Sequence, residues 1–182
     1  AWVNRFGHQF KALLSLSEVN TSLATQYLIP GNKPAHEHYA INSGIYRLEP
    51  KRGESFVKNV GLAKIKNFHS WQRTVSLTYQ HERYKFYGIQ TKTARLLYPG
   101  ITFSLTKSNN ILQPTQGHNL TMTLTGASTE VGSTVSFVRT RIDYTQLLSL
   151  TQDDIFVIRG DYGYVLAHGN SISKYANTIP LS

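Results

Sequence analysis

Three groups of residues in this chain of 182 could do chemistry. Between residues 61 and 87, basic and aromatic side chains interleave: Lys64, Lys66, Phe68, His69, Trp71 and Arg73, then Tyr79, His81, Arg83, Tyr84, Lys85, Phe86 and Tyr87. On one surface they could stack bases and neutralise phosphates. They could also wall a small-ligand cleft, with Trp and Tyr as faces and Arg as a carboxylate clamp. The same residues suit two ordinary strands, because aromatics favour strands and Val75, Leu77 and Tyr79 alternate. His36-Glu37-His38 invites a metal reading, but histidines two apart share a face only on a strand, and HExxH spacing is absent. They read as solvated loop histidines. Arg139, Arg141 and Asp143 form the third group, at the end of an alternating segment.

No catalytic signature accompanies them. The ten acidic residues show no paired or metal-binding spacing, and neither G-x-S-x-G nor H-E-x-x-H occurs. Absence of cysteine removes disulfides, thiolate metal sites and cysteine nucleophiles. No catalytic residue, metal or cofactor is expected.

The elements that must position these groups begin with residues 4–28. Phe6, Phe10, Leu13, Leu16, Val19, Leu23 and Tyr27 recur at a mean step of about 3.5, the period of a helical stripe. Pro30-Gly31 ends the predicted helix. Residues 29–43 read as a loop. Residues 44–60 read as a hairpin, with Ile45, Tyr46 and Leu48 on one arm, Phe56, Val57 and Val60 on the other, and a turn at Pro50-Lys51-Arg52-Gly53. Ile101, Phe103 and Leu105 alternate, as do Leu120, Met122 and Leu124, with turns predicted at 98–100, 107–110 and 114–118 and a polar loop over 126–132. Beyond it, Val135, Phe137 and Arg139 alternate as a strand. Tyr144, Leu147, Leu148 and Leu150 have helical spacing, with Asp143 in the N-cap position. Ile155–Ile158 and Tyr164–Ala167 then flank a predicted turn at Arg159-Gly160-Asp161-Tyr162-Gly163.

The stretch 132–170 resembles the extracytoplasmic Cache (PDC, PAS-like) sensor domains of bacterial histidine kinases, chemoreceptors and diguanylate cyclases. The residues carrying the resemblance are Gly132, Val135, Phe137, Ile142, Asp143 and Leu147, then Ile155 to Ile158, Gly163 and Tyr164 to His168. Arg159 stands where that family has Asp, Trp71 precedes Arg73 where it has Arg before Trp, and too little chain follows 168 for a second module. The resemblance implies an α+β fold: a long N-terminal helix, then a PAS/Cache-like antiparallel sheet with covering helices and loops. Residues 1–30 would be a signalling or dimerisation helix and 31–182 the sensor domain. A small anionic ligand, or a periplasmic partner protein, would bind and signal through the helix at 4–28, which could also make a homodimer. The implied ligand-binding residues are Trp71, Arg73, Tyr79, Tyr87, Arg139, Arg141 and Asp143. Asp143 matches the acid that takes a ligand amine in amino-acid sensors. The place would be the periplasmic part of an inner-membrane protein, non-enzymatic in itself.

Bulk composition frames the alternatives. Lys plus Arg number 19 against 10 Asp plus Glu, a net charge of +9 that favours anionic partners. A viral coat or nucleic-acid-binding jelly roll would fit that charge and the many strands, but the basic residues are spread along the chain with no concentrated arm, so no nucleic-acid partner is expected. No window has the length of a transmembrane helix, no signal peptide is visible, and the abrupt Ala1-Trp2-Val3 start reads like a piece of a longer protein.

Overall fold

A computed structural model describes residues 2–49, 53–86, 90–110, 115–149 and 154–168. The described residues form a single sheet of ten strands: β1 (Trp2–Val3), β2 (Gln9–Leu16), β3 (Asn20–Pro30), β4 (Glu37–Leu48), β5 (Gly53–Phe68), β6 (Trp71–Phe86), β7 (Lys92–Ser108), β8 (Gly117–Ala127), β9 (Ser136–Ser149) and β10 (Ile155–His168). Each strand pairs antiparallel with the next in sequence, so the sheet order is the chain order. Pairing runs unbroken across residue 30, where β3 meets β4. The one helical feature among the described residues is a 3-10 turn at Thr129–Val131, closed by Gly132 at a φ of 88°. The fold is therefore all-β, not α+β, and a single meander sheet, not a jelly roll.

The helix predicted over 4–28 is the β2–β3 hairpin. Its apolar steps of four, such as Leu23 to Tyr27, return to the same side of a strand as readily as of a helix. Of the steps of three, Phe10 to Leu13 and Leu13 to Leu16 cross between the faces of β2, and Leu16 to Val19 spans the turn, where Ser17 Oγ accepts from the Val19 and Asn20 amides. The helix predicted after Asp143 is the second half of β9, whose Tyr144 and Leu148 lie on one face and Leu147 on the other. Asp143 therefore caps nothing. The turn predicted at Arg159–Gly163 lies inside β10, which pairs with β9 along its whole length. Neither Gly160 nor Gly163 has positive φ. Part of the predicted loop 29–43 is strand as well, since β4 begins at Glu37. The hairpin over 44–60 has the expected partners, with Tyr46 opposite Val57, though residues 50–52 of its predicted turn lie outside the described residues, and residues 61–87 do contain two strands.

The turn predicted at Tyr98-Pro99-Gly100 is a point inside β7 with a different job. Pairing of β7 with β8 stops at Gly100 and Thr125, so β7 continues without that neighbour. The loop before β9 takes its place. The Arg95 amide donates to Thr134 Oγ1 at 2.8 Å and the Thr134 amide to the Arg95 carbonyl at 2.7 Å. The Leu97 amide donates to Ser133 Oγ at 2.8 Å, and that hydroxyl donates to the Leu97 carbonyl at 3.1 Å. Strand alternation points the backbone of Pro99 the same way as 95 and 97, so its missing donor falls on the side that β8 has left.

Ser133 is buried, so replacing it by Ala leaves both backbone groups of Leu97 without a partner. Ser133→Ala should cost about 1–3 kcal/mol, read as a lower urea midpoint with faster hydrogen exchange at the Leu97 amide. Unchanged exchange at Leu97 would show that the loop does not replace β8.

Candidate functional site

Strand registers divide the side chains between two faces, because directly opposed residues share a face. One face carries the row Phe10–Tyr27–Ile41–Leu62–Leu77–Pro99 across β2 to β7. It continues in β7 to β10 through Ile101, Leu124, Thr140 and Tyr164, and through Phe103, Met122, Ile142 and Tyr162. The other face is richer in polar and small residues, with apolar exceptions such as Leu13, Leu28, Val57 and Leu147. Gln26 donates to Asn42 at 3.1 Å, Tyr98 to Gln80 at 3.2 Å, Ser55 to Glu82 at 3.1 Å and Asn119 to Thr106 at 3.0 Å, and Thr102 meets Thr123 at 3.2 Å.

Burial is inverted with respect to a water-soluble domain. Every buried strand residue lies on the polar face: Ala40, Gly44, Gly61, Gln80, Ala94, Leu96, Thr125 and Phe137. The apolar face is open, with Val60 53% and Leu62 56% exposed, and Leu23, Ile41, Ile45, Val75, Leu77, Leu124 and Val138 similarly uncovered. Burying one such side chain is worth about 1.5–3 kcal/mol, so leaving them all in water would forfeit more than a domain's net stability of about 5–15 kcal/mol. This face needs an apolar covering.

The polar face is concave. Lys11, Gln26, Asn42, Asn59, Thr78 and Tyr98, one from each of β2 to β7, line a single groove of about 710 Å³. Six adjacent strands span about 24 Å, too wide for one groove unless the sheet curls. Gly44 leaves room at its wall for the ends of two neighbouring side chains. A Cβ there would come within 2.7 Å of the Tyr46 hydroxyl and Asn59 Oδ1.

The apolar face is a bounded belt. On β4 it lies between Glu37 and Arg47, and on β7 between Arg95 and Lys107. The paired row through Asn42, the midpoint on β4, crosses Gly61 and Thr78 and reaches β7 at Tyr98. The midpoint on β7 is Ile101, further along the strand. The belt therefore slips by about one residue per strand, and with a rise of about 3.3 Å and a spacing of about 4.8 Å the strands tilt by about 35° from its normal. Leu97 to Leu105 then covers about 22 Å of height, close to the apolar band of about 25 Å on a transmembrane barrel. Aromatics and cations edge the belt. Lys64 Nζ lies 5.1 Å from the Tyr39 ring and 2.6 Å from Glu37, while Lys66 and Arg73 both lie over Phe68, at 5.1 and 5.2 Å.

Of the seven residues expected to bind ligand, the six that are described divide between the two faces. Trp71, Arg73 and Tyr79 lie on the apolar face, all partly exposed. Arg139, Arg141 and Asp143 lie on the polar face of β9, where Arg141 bonds Asp143 at 2.8 Å and Asp161 stands directly opposite Asp143. Tyr87 is outside the described residues. What the sequence reading missed are the belt residues Val60, Leu62, Leu77 and Ile101, whose signal is period-two alternation continued across successive strands.

A family model described as the Omp85 superfamily domain matches residues 7–181. It overturns the resemblance to Cache sensors, and with it the two-component receptor role, as does the absence of the sensor helix. Proteins of this superfamily are membrane-associated, in the outer membrane or periplasm, which fits an extracytoplasmic place but gives no support to an inner-membrane anchor. Its match spans nearly the whole sequence, and the chain belongs to the Omp85 superfamily.

Proposed function

We propose that these residues form part of the wall of an outer-membrane β-barrel, with the apolar face against lipid and the polar face lining an aqueous lumen. The observation that carries this reading is the inversion of burial. Supporting it are the all-antiparallel meander, the belt height and the tilt, which lies at the low edge of the roughly 35–45° of such barrels. No helix among the described residues is long and apolar enough to cross a membrane, so strands are what would cross it. Among the described residues the outer edges of β1 and β10 bond to no further strand, and in hydrocarbon such edges need partners. The reading therefore requires both edges to be paired in the intact barrel.

The proposed role is non-enzymatic. A small ligand or a periplasmic protein would approach from the aqueous, polar face, and a second copy would meet this chain through sheet surfaces, since the helix at 4–28 is absent. The charged set on β9 and β10, Arg141, Asp143, Arg159 and Asp161, would then face the lumen.

Neighbouring residues test the assignment, because Ile41 and Asn42 are adjacent in sequence and opposite in face. Ile41→Arg in the intact protein should destabilise the inserted barrel by about 2–4 kcal/mol, while Asn42→Arg should cost far less. The reverse order, or a neutral Ile41→Arg, would place the apolar face in water. Polarised infrared dichroism on oriented bilayers should give a mean strand tilt near 35° from the normal. Strands lying in the bilayer plane would rule out a spanning wall.

A further inference from the structure

Four basic residues gather at one end of the belt. Lys58 on β5, His81 on β6 and Arg95 on β7 are direct register partners in one row across the apolar face. Arg83 stands on the same face in the next row, between Phe56 and Thr93. Strand spacing sets the three row positions about 5–10 Å apart. Lys58 and Arg95 flank His81 two strands apart, with Arg83 one row further out, a concentration of positive charge that favours an outside counter-charge. Among the described residues no ion pair supplies one. The ion pairs of the described residues involve Arg47, Lys64 and Arg141, not Lys58, Arg83 or Arg95. Of the nearby carboxylates, Glu54 is held by Arg47 at 3.3 Å, and Glu82 lies on the opposite face, bonded to Ser55.

What lies beside the row identifies the partner's other half. The next row toward the belt centre is Val60–Tyr79–Leu97, and the one after it Leu62–Leu77–Pro99. A ligand that meets both must be anionic at one end and apolar over the length of the belt. We infer that Lys58, His81, Arg83 and Arg95 form a docking site for the anionic headgroup of a bilayer lipid, its acyl chains lying along Val60, Leu62, Leu77 and Leu97. A phosphate oxygen accepts from Lys58 Nζ and the guanidinium of Arg95, and Arg83 closes the site on the aqueous side. Free phosphate offers the same headgroup chemistry but nothing for the two apolar rows.

This inference rests on the barrel reading, and its test separates the two. The intact protein is reconstituted in phosphatidylcholine vesicles, and insertion is checked by protease protection. Association of spin-labelled phosphatidylglycerol is then compared with spin-labelled phosphatidylcholine. Wild type should prefer the anionic label, and Lys58→Gln/Arg83→Gln/Arg95→Gln should reduce that preference about tenfold or more. Lys58→Arg/Arg83→Lys/Arg95→Lys should keep it. Millimolar inorganic phosphate, matched in ionic strength with chloride, should leave it intact. An inserted glutamine variant with undiminished preference overturns the site and leaves the barrel reading standing, and so does abolition of the preference by inorganic phosphate. Failure of the wild type to insert overturns both.

Discussion

Register is the constraint on which everything else in this structure depends. Side chains alternate between faces at every residue, so a slip of one position in any pairing would carry a whole strand's apolar set to the other side. No slip or bulge interrupts the pairings from β2 to β10. That continuity joins these nine strands into two coherent surfaces. Where β7 outruns β8, the loop residues Ser133 and Thr134 supply the bonds that a strand would have made, and Pro99 needs none. The ladder is thus kept satisfied at the place where it is most exposed to failure.

The two surfaces account for features that composition leaves unexplained. A net charge of +9 looks like a preference for anionic partners in general. In the fold, many of the cations sit at the edges of the apolar belt: Arg47, Lys58, Arg83 and Arg95 at one end, Lys66, Arg73 and Lys107 at the other. Long cationic side chains suit such edges, since their stems cover apolar surface while their heads reach water. The aromatic residues between 61 and 87 follow the same logic. Phe68 and Trp71 are register partners on the apolar face, where amphipathic rings fit the boundary between hydrocarbon and headgroup.

Much of the strand content was legible from sequence. Val75-Leu77-Tyr79, Ile101-Phe103-Leu105 and Leu120-Met122-Leu124 alternate without ambiguity, and all three lie in strands. The errors share a cause. Apolar residues four apart fit a strand and a helix alike, so Leu23 and Tyr27 supported the wrong element. Leu147 and Leu148 are adjacent and both apolar because β9 there carries apolar side chains on both faces, and that pattern imitates a helical stripe. Gly160 and Gly163 suggested a turn, but they are ordinary extended positions in β10. The described residues of the candidate site are divided between the faces for a related reason. Trp71, Arg73 and Tyr79 do share a face, and so do Arg139, Arg141 and Asp143, but the hairpins between β6 and β9 place the two sets on opposite sides. Strand parity carries over from one strand to the next only through registers, and a single sequence does not contain them.

In the proposed barrel wall, apolar side chains of this sheet meet lipid while their sequence neighbours meet water. Nitroxide labels placed one at a time along β5, from Asn59 to Ala63 in the intact protein, test it most directly when reconstituted in bilayers. Collision with oxygen, which concentrates in hydrocarbon, should peak at Val60 and Leu62, and collision with a water-soluble nickel chelate at Asn59, Gly61 and Ala63. A period of two with that phase is the predicted result. Nickel access at all five positions, or the opposite phase, would contradict it.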